Sequence, residues 1–145
     1  MRRTRRLERA YRATAYRVRL PGFANDLVLR PGVRNRRLDA WLQAAGIHCW
    51  SLLTAHNPAS RRLSAAQNRR RQQALHEELT AAGYRVLAGE NHAAAGNWPV
   101  EATFFVPALT RAEAARLARR HGQNAFLWGR CGQAARLCWR PTVPR

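Results

Sequence analysis

Apolar residues return along this chain at two periods, and the switches between them mark out the elements. Residues Leu7 to Arg12 predict a short helix within a basic arm over 1–14. Tyr16, Val18 and Leu20 alternate with Arg17 and Arg19, the period of a half-buried strand. Asp26 to Arg30 reads as a second strand beyond the Pro21-Gly22 turn, and the two are expected to pair as a hairpin. Leu38, Trp41, Leu42 and Ala45 then fall at helical spacing between an N-cap, Asn35, and a stop, Gly46. Ile47 to Thr54 is apolar on both alternating faces, as in a central strand covered on both sides. Ser64 with Gln67 forms a capping box and opens a helix running to Ala82, closed by Gly83. Tyr84 to Leu87 predicts a short strand, and Gly89 to Glu101 a long loop. Thr103 to Ala108 is a strand. Thr110 with Glu113 is a second capping box, with Leu109 and Ala114 at the spacing of a hydrophobic staple. Asn124 to Trp128 and Ala135 to Trp139 predict a closing hairpin across Gly129 to Gly132.

From Ile47 to Trp128 the order is strand, helix, strand, strand, helix, strand. That is the split βαβ order of a ferredoxin-like sandwich, extended by the N-terminal hairpin and helix and by a C-terminal strand at an edge. No repeat and no linker divides the chain, so a single α+β domain over 1–145 is expected.

Charge changes the picture most. The 145 residues include 26 basic side chains, all arginine, against eight acids, for a net charge of +18. Such self-repulsion opposes compaction, and phosphate backbones are its commonest use. The densest stretch holds Arg2, Arg3, Arg5, Arg6, Arg9 and Arg12; Arg69, Arg70, Arg116, Arg119 and Arg120 lie on the predicted helices. These eleven are the expected nucleic-acid contacts. With 46% hydrophobic residues the chain has enough apolar surface for a core. No apolar run reaches bilayer length and none follows the N-terminal charges as in a secretory signal, so a cytoplasmic protein with no membrane partner is expected. Cys49, Cys131 and Cys138 are too few and wrongly spaced for a disulfide framework or a usual zinc pair, so neither metal nor cofactor is expected.

The candidate chemistry lies on the Ser64 helix. On the buried stripe centred on Leu75, with Leu79 and Ala82, also fall Asn68 and Arg71. Polar groups facing a core need partners, and their place near a helix N-terminus favours an anion there. Glu90, Trp98 and Glu101 on the following loop are the counterparts, either acid being a partner for Arg71 and a candidate general base. Two roles fit this cluster: a site, or a fastening of the loop with Trp98 as plug.

The run Thr54-Ala55-His56-Asn57-Pro58, then Ser64 with Asn68 and Arg71, Gly89-Glu90, Trp98-Pro99 with Glu101 before Phe104-Phe105-Val106, and Gly122-Gln123-Asn124-Ala125 resembles the bacterial domain of unknown function 3293. The resemblance spans about Tyr11 to Trp139 and implies a small bacterial domain without an established activity. Its recurring polar positions fall on Asn57, Asn68, Arg71, Glu90, Glu101, Gln123 and Asn124. This chain departs from the pattern at His56, where an aromatic often stands. It departs again at His92, Ala93, Ala94 and Ala95, where acids are common.

The first expectation is therefore a nucleic-acid or ribonucleoprotein binding module acting through arginine–phosphate contacts. The alternative is a small enzyme, or a nucleotide- or anion-binding protein, with a polar pocket at the start of the Ser64 helix. Asn57, Asn68, Arg71, Trp98, Gln123 and Asn124 would bind its ligand. No Gly-rich phosphate loop, HExxH or GxSxG pattern is present. His48, Trp50, Phe104 and Phe105 sit where RNA-recognition sheets stack bases, but without a ribonucleoprotein motif they read as core.

Overall fold

The computed structural model describes residues 4–94, 96 and 98–140; Arg2, Arg3 and Ala95, named above, lie outside them. Four helices are found among the described residues: α1 (Arg5–Ala13), α2 (Arg36–Ala45), α3 (Ala65–Ala81) and α4 (Arg111–Arg120). The strands are β1 (Ala15–Val18), β2 (Leu27–Leu29), β3 (Cys49–Leu53), β4 (Leu87–His92), β5 (Glu101–Pro107), β6 (Ala125–Arg130) and β7 (Arg136–Trp139). They form one antiparallel sheet in the order β2-β1-β4-β5-β3-β6-β7. The expected hairpin, β1 with β2, extends one side through β4, and β7 forms the opposite edge.

Alternation along the central strands separates two cores. Trp50 and Leu52, Phe105 and Leu127 face α2, joined by Val18, Leu27, Leu38 and Leu42. Leu53, Val106, Phe126 and Trp128 face the other way, against Leu75 and Leu79 of α3 and Leu117 of α4. Because β3 is covered on both faces, even its polar Ser51 is fully buried, and its hydroxyl donates to the Leu127 carbonyl at 2.9 Å. Trp50 stacks on Phe105 with ring centroids 5.4 Å apart, both of them in the core. At the start of α3 Ser64 and Gln67 satisfy each other's backbone N–H as expected, whereas at α4 the second box is half formed: Thr110 accepts from Glu113 N, but the Glu113 carboxylate pairs with Arg116.

Two boundaries differ from expectation. The fourth strand runs over Leu87–His92 rather than Tyr84 to Leu87, so Gly89 to His92 leave the predicted loop, as does Glu101, which opens β5. Gly89, Glu90 and Asn91 have poor strand propensity, yet β1 and β5 flank them on both sides and supply the ladder. Glycine is required at 89, where a Cβ would lie 2.6 Å from the Arg17 carbonyl oxygen. Likewise Gly129 is not a turn residue but part of β6, directly opposite Trp50; a Cβ there would meet the indole at 2.5 Å. The turn of that last hairpin therefore falls later, between Arg130 and Arg136.

Candidate functional site

Beyond β3 the chain makes a tight turn in which three residues without the freedom of glycine adopt positive φ: Asn57 (44°), Ala59 (53°) and Ser60 (59°). Each costs about 1 kcal/mol or more in backbone energy, so the surroundings must hold them. Asn57 is the hub and is 4% exposed. Its N–H donates to Asn68 Oδ1 at 2.9 Å, and its Oδ1 accepts from Asn68 Nδ2 and from Leu63 N, each at 2.9 Å. Its Nδ2 donates to Glu101 Oε2 at 2.6 Å. Ala59 N donates to the Gly122 carbonyl at 2.7 Å, and Asn124 Nδ2 to Ser60 Oγ at 2.9 Å. The predicted polar positions thus converge, but on one another.

Arg71 does not pair with an acid. Its guanidinium donates to the backbone carbonyls of Ala55 (3.0 Å) and His121 (2.8 Å), while Gln123 Nε2 donates to the carbonyl of His56 at 3.0 Å. Together they fasten the exit of β3 to the end of α4. The expected partners are out of reach for a topological reason. In the ladders Tyr16 stands opposite Asn91, and Asn91 opposite Glu101, so these three share the face that α3 does not cover. Glu90, one residue from Asn91, points to the opposite face, where it is exposed and meets His92 at 2.8 Å. Glu90 and Glu101 are therefore not one site. A further buried amide on α3, Gln72, was not anticipated; its Oε1 accepts from Ala55 N at 2.8 Å.

Glu101 instead faces a cavity of about 350 Å³ between α1 and the sheet. Leu7, Tyr11, Tyr16, Leu52 and Leu127 wall it; Thr54, His56, Asn57, Asn91 and Gln123 bring polar groups to it; Arg6 and Trp98 also line it. Helix α1 is held over it by Tyr11, whose ring packs edge-on against Trp139 at 5.1 Å and whose carbonyl accepts from Tyr16 Oη at 3.1 Å. Burial raises the Glu101 carboxyl above its ordinary pKa, against the opposing pull of hydrogen bonds from Asn57 and Trp98 and the charge of His56. Burial likewise raises both tyrosine hydroxyls. Among the described residues no arginine comes within ion-pairing distance of Glu101, in a chain that has 26 of them. Asn91 Oδ1 is buried without a hydrogen-bond partner.

On the opposite face, a hollow of about 590 Å³ at the start of α4 is lined by Arg111, Arg130 and Arg136 with His48, Thr110 and Gln133, and among the described residues by no carboxylate. The sequence singled out none of these arginines, because Arg111, at a helix start, meets the hairpin residues Arg130 and Arg136 only through the packing of α4 against β6. Of the arginines it did single out, Arg12 pairs with Glu8, Arg116 with Glu113 and Glu78, and Arg120 with Glu78. Among the described residues Arg5, Arg6, Arg9, Arg69, Arg70 and Arg119 are exposed with no carboxylate at ion-pairing distance.

No helix among the described residues is long and apolar enough to cross a membrane, and no three His, Cys, Asp or Glu side chains among them gather as a metal site. No curated protein and no solved structure matches the chain. A family model described as "Protein of unknown function (DUF3293)" matches residues 53–126. That span is just over half of the chain and takes in the Asn57 turn, all of α3 and α4, and Glu101. The chain belongs to the DUF3293 family.

Proposed function

We propose that this protein is a nucleic-acid or ribonucleoprotein binding module that grips phosphates through surface arginines. Its frame from β3 to β6 is a ferredoxin-like split βαβ sandwich; the order β4-β5-β3-β6, antiparallel throughout, supports that reading. The observation that supports the function best is the hollow of about 590 Å³ where Arg111, Arg130 and Arg136 gather with no acid among the described residues lining it. Each guanidinium presents a donor fork matched to phosphate oxygens, and three in one concavity suit consecutive phosphates. The unpaired arginines of α1 and α3 add to the field that draws a polyanion in. Arg116 and Arg120 contribute less, because Glu78 and Glu113 already neutralise them.

The alternative, a small enzyme or nucleotide- or anion-binding protein with its pocket at the start of the Ser64 helix, draws less support. Asn68 donates to Asn57 and Leu63, and Arg71 holds the carbonyls of Ala55 and His121, so both side chains are engaged in fastening the turn rather than aimed together at a ligand.

The test is titration of a single-stranded oligonucleotide across a salt series. Three or more phosphate contacts give a log–log slope of about −2 or steeper, at roughly −0.7 to −0.9 per contact. A flat salt response removes the reading.

A further inference from the structure

The cavity beneath α1 answers a different chemistry from the arginine surface. Its polar wall carries free acceptors: the Glu101 carboxylate, with about four lone-pair sites of which Asn57 and Trp98 take two, and Asn91 Oδ1, buried with no donor. Glu101 and Asn91 stand directly opposite each other on paired strands, which sets their Cβ atoms about 5 Å apart. The remaining walls combine aromatic and aliphatic side chains with the polar Thr54, His56 and Gln123, and the volume lies in the range of small-molecule pockets. What fits is a flat ring bearing several N–H groups along one edge.

A guanidinium or amidine has such an edge but is a cation, and a chain of net charge +18 repels it. Guanine has the same edge on a neutral ring. Its N1–H and one 2-amino hydrogen match the two oxygens of a single carboxylate, and the second 2-amino hydrogen matches an amide oxygen. Adenine offers a bare acceptor at N1, which a carboxylate opposes; cytosine lacks the second adjacent donor. The guanine's phosphate would then meet Arg6, which lines the same cavity, or Arg62, which lies over the Trp98 ring at 5.8 Å.

We propose that the cavity between α1 and the sheet binds a guanine base, with Glu101 and Asn91 reading its N1–H and 2-amino edge and Arg6 at its phosphate. This goes beyond the phosphate-gripping surface, lies on the other face of the sheet, and stands or falls separately from it.

Calorimetric titration of the intact protein with 5′-GMP, 5′-IMP, 5′-AMP and agmatine tests it. GMP is expected to bind at least about tenfold tighter than AMP and than IMP, which lacks only the 2-amino group, and Glu101→Gln is expected to erase the preference. The IMP comparison needs no variant, so it decides even if Glu101→Gln unfolds. Equal affinities for GMP, IMP and AMP, no saturable GMP binding at millimolar concentration, or tighter binding of agmatine each overturns the proposal. A second pair of titrations, with single-stranded oligonucleotides with and without one guanosine, separates the sources of the base. Preference for the guanosine strand that is lost in Glu101→Gln supports a base within a strand. Strand binding with no such preference, alongside failed GMP binding, sinks the cavity while the phosphate-gripping surface survives. GMP selectivity without strand binding does the reverse.

Discussion

On one face of the sheet Arg111, Arg130 and Arg136 surround a hollow that no carboxylate of the described residues lines; on the other, Glu101 and Asn91 face a cavity that Arg6 alone among the described arginines reaches. The difference shows how a chain with so little acid distributes it. Glu8, Asp26, Asp39, Glu78 and Glu113 each sit beside an arginine, the ordinary fate of an acid in such a field. Glu101 is half-buried with Asn57 and Trp98 as its hydrogen-bond donors and no arginine against its carboxylate, although that placement raises its pKa and disfavours its charge. An acid kept apart from abundant guanidinium groups retains its acceptors for something else. The two hollows thus divide the work expected of this surface: a cationic one that needs negative charge in its ligand, and an acceptor-lined one that needs N–H groups.

The contrast breaks hardest at Asn57. Asn57→Ala removes the side-chain bonds to Glu101, Asn68 and Leu63 and leaves alanine at φ 44°. A loss of about 3–4 kcal/mol is expected, read as a lower midpoint in urea. If the variant is within about 0.5 kcal/mol of the native protein, the turn does not hold Glu101 in place and the cavity loses its defining group.

Next comes the cationic hollow. Reversing Arg111, Arg130 and Arg136 to glutamate is expected to lower affinity for a single strand by about a hundredfold and to flatten the log-salt slope by about 2 to 3. Folding should persist, since all three side chains are exposed. Unchanged affinity would move the phosphate contacts to α1 and α3 and end the claim that the hollow's concavity matters.

Arg71→Ala separates fastening from binding. The guanidinium holds two carbonyls, so about 2 kcal/mol of stability should go while strand affinity stays within twofold. A binding defect without a stability defect would reverse the assignment.

How much of this was legible beforehand depended on whether the signal was local. The capping box of Ser64 and Gln67, the doubly covered strand around Ser51 and the inward-facing Asn68 and Arg71 all follow from neighbours in sequence, and all appear where periodicity puts them. Burial of Asn68 was readable; its partner was not, because Asn57 reaches it through a positive-φ turn with no sequence pattern of its own. Asn91 was lost inside a predicted loop because β4 owes its strand to neighbours on both sides rather than to propensity. That one-strand displacement also hid the fact that Glu90 and Glu101 face opposite ways. Arg111 joins the hairpin residues Arg130 and Arg136 only through the packing of α4 against β6, and counting arginines along the chain favours dense runs over convergence.

The smallest expected effect is the one that reports most directly on the acceptor-lined side. Because the folded-state pKa of Glu101 lies above its ordinary value, there is a pH window in which the native state keeps a proton that the unfolded chain has lost. In that window stability falls as pH rises, the opposite of a carboxylate held by an arginine. Glu101→Gln carries no such proton but keeps a carbonyl oxygen for Asn57 Nδ2, so the hydrogen bond survives. Thermal midpoints of the two proteins should therefore draw together near about pH 4, with the variant gaining on the native chain as pH rises toward about 7. Titrations elsewhere in the molecule are common to both and cancel in the difference. A difference that stays constant across this range would mean the carboxyl is solvated like any surface acid. The acceptors of the cavity would then be satisfied by water, and the two hollows would differ in shape but not in kind.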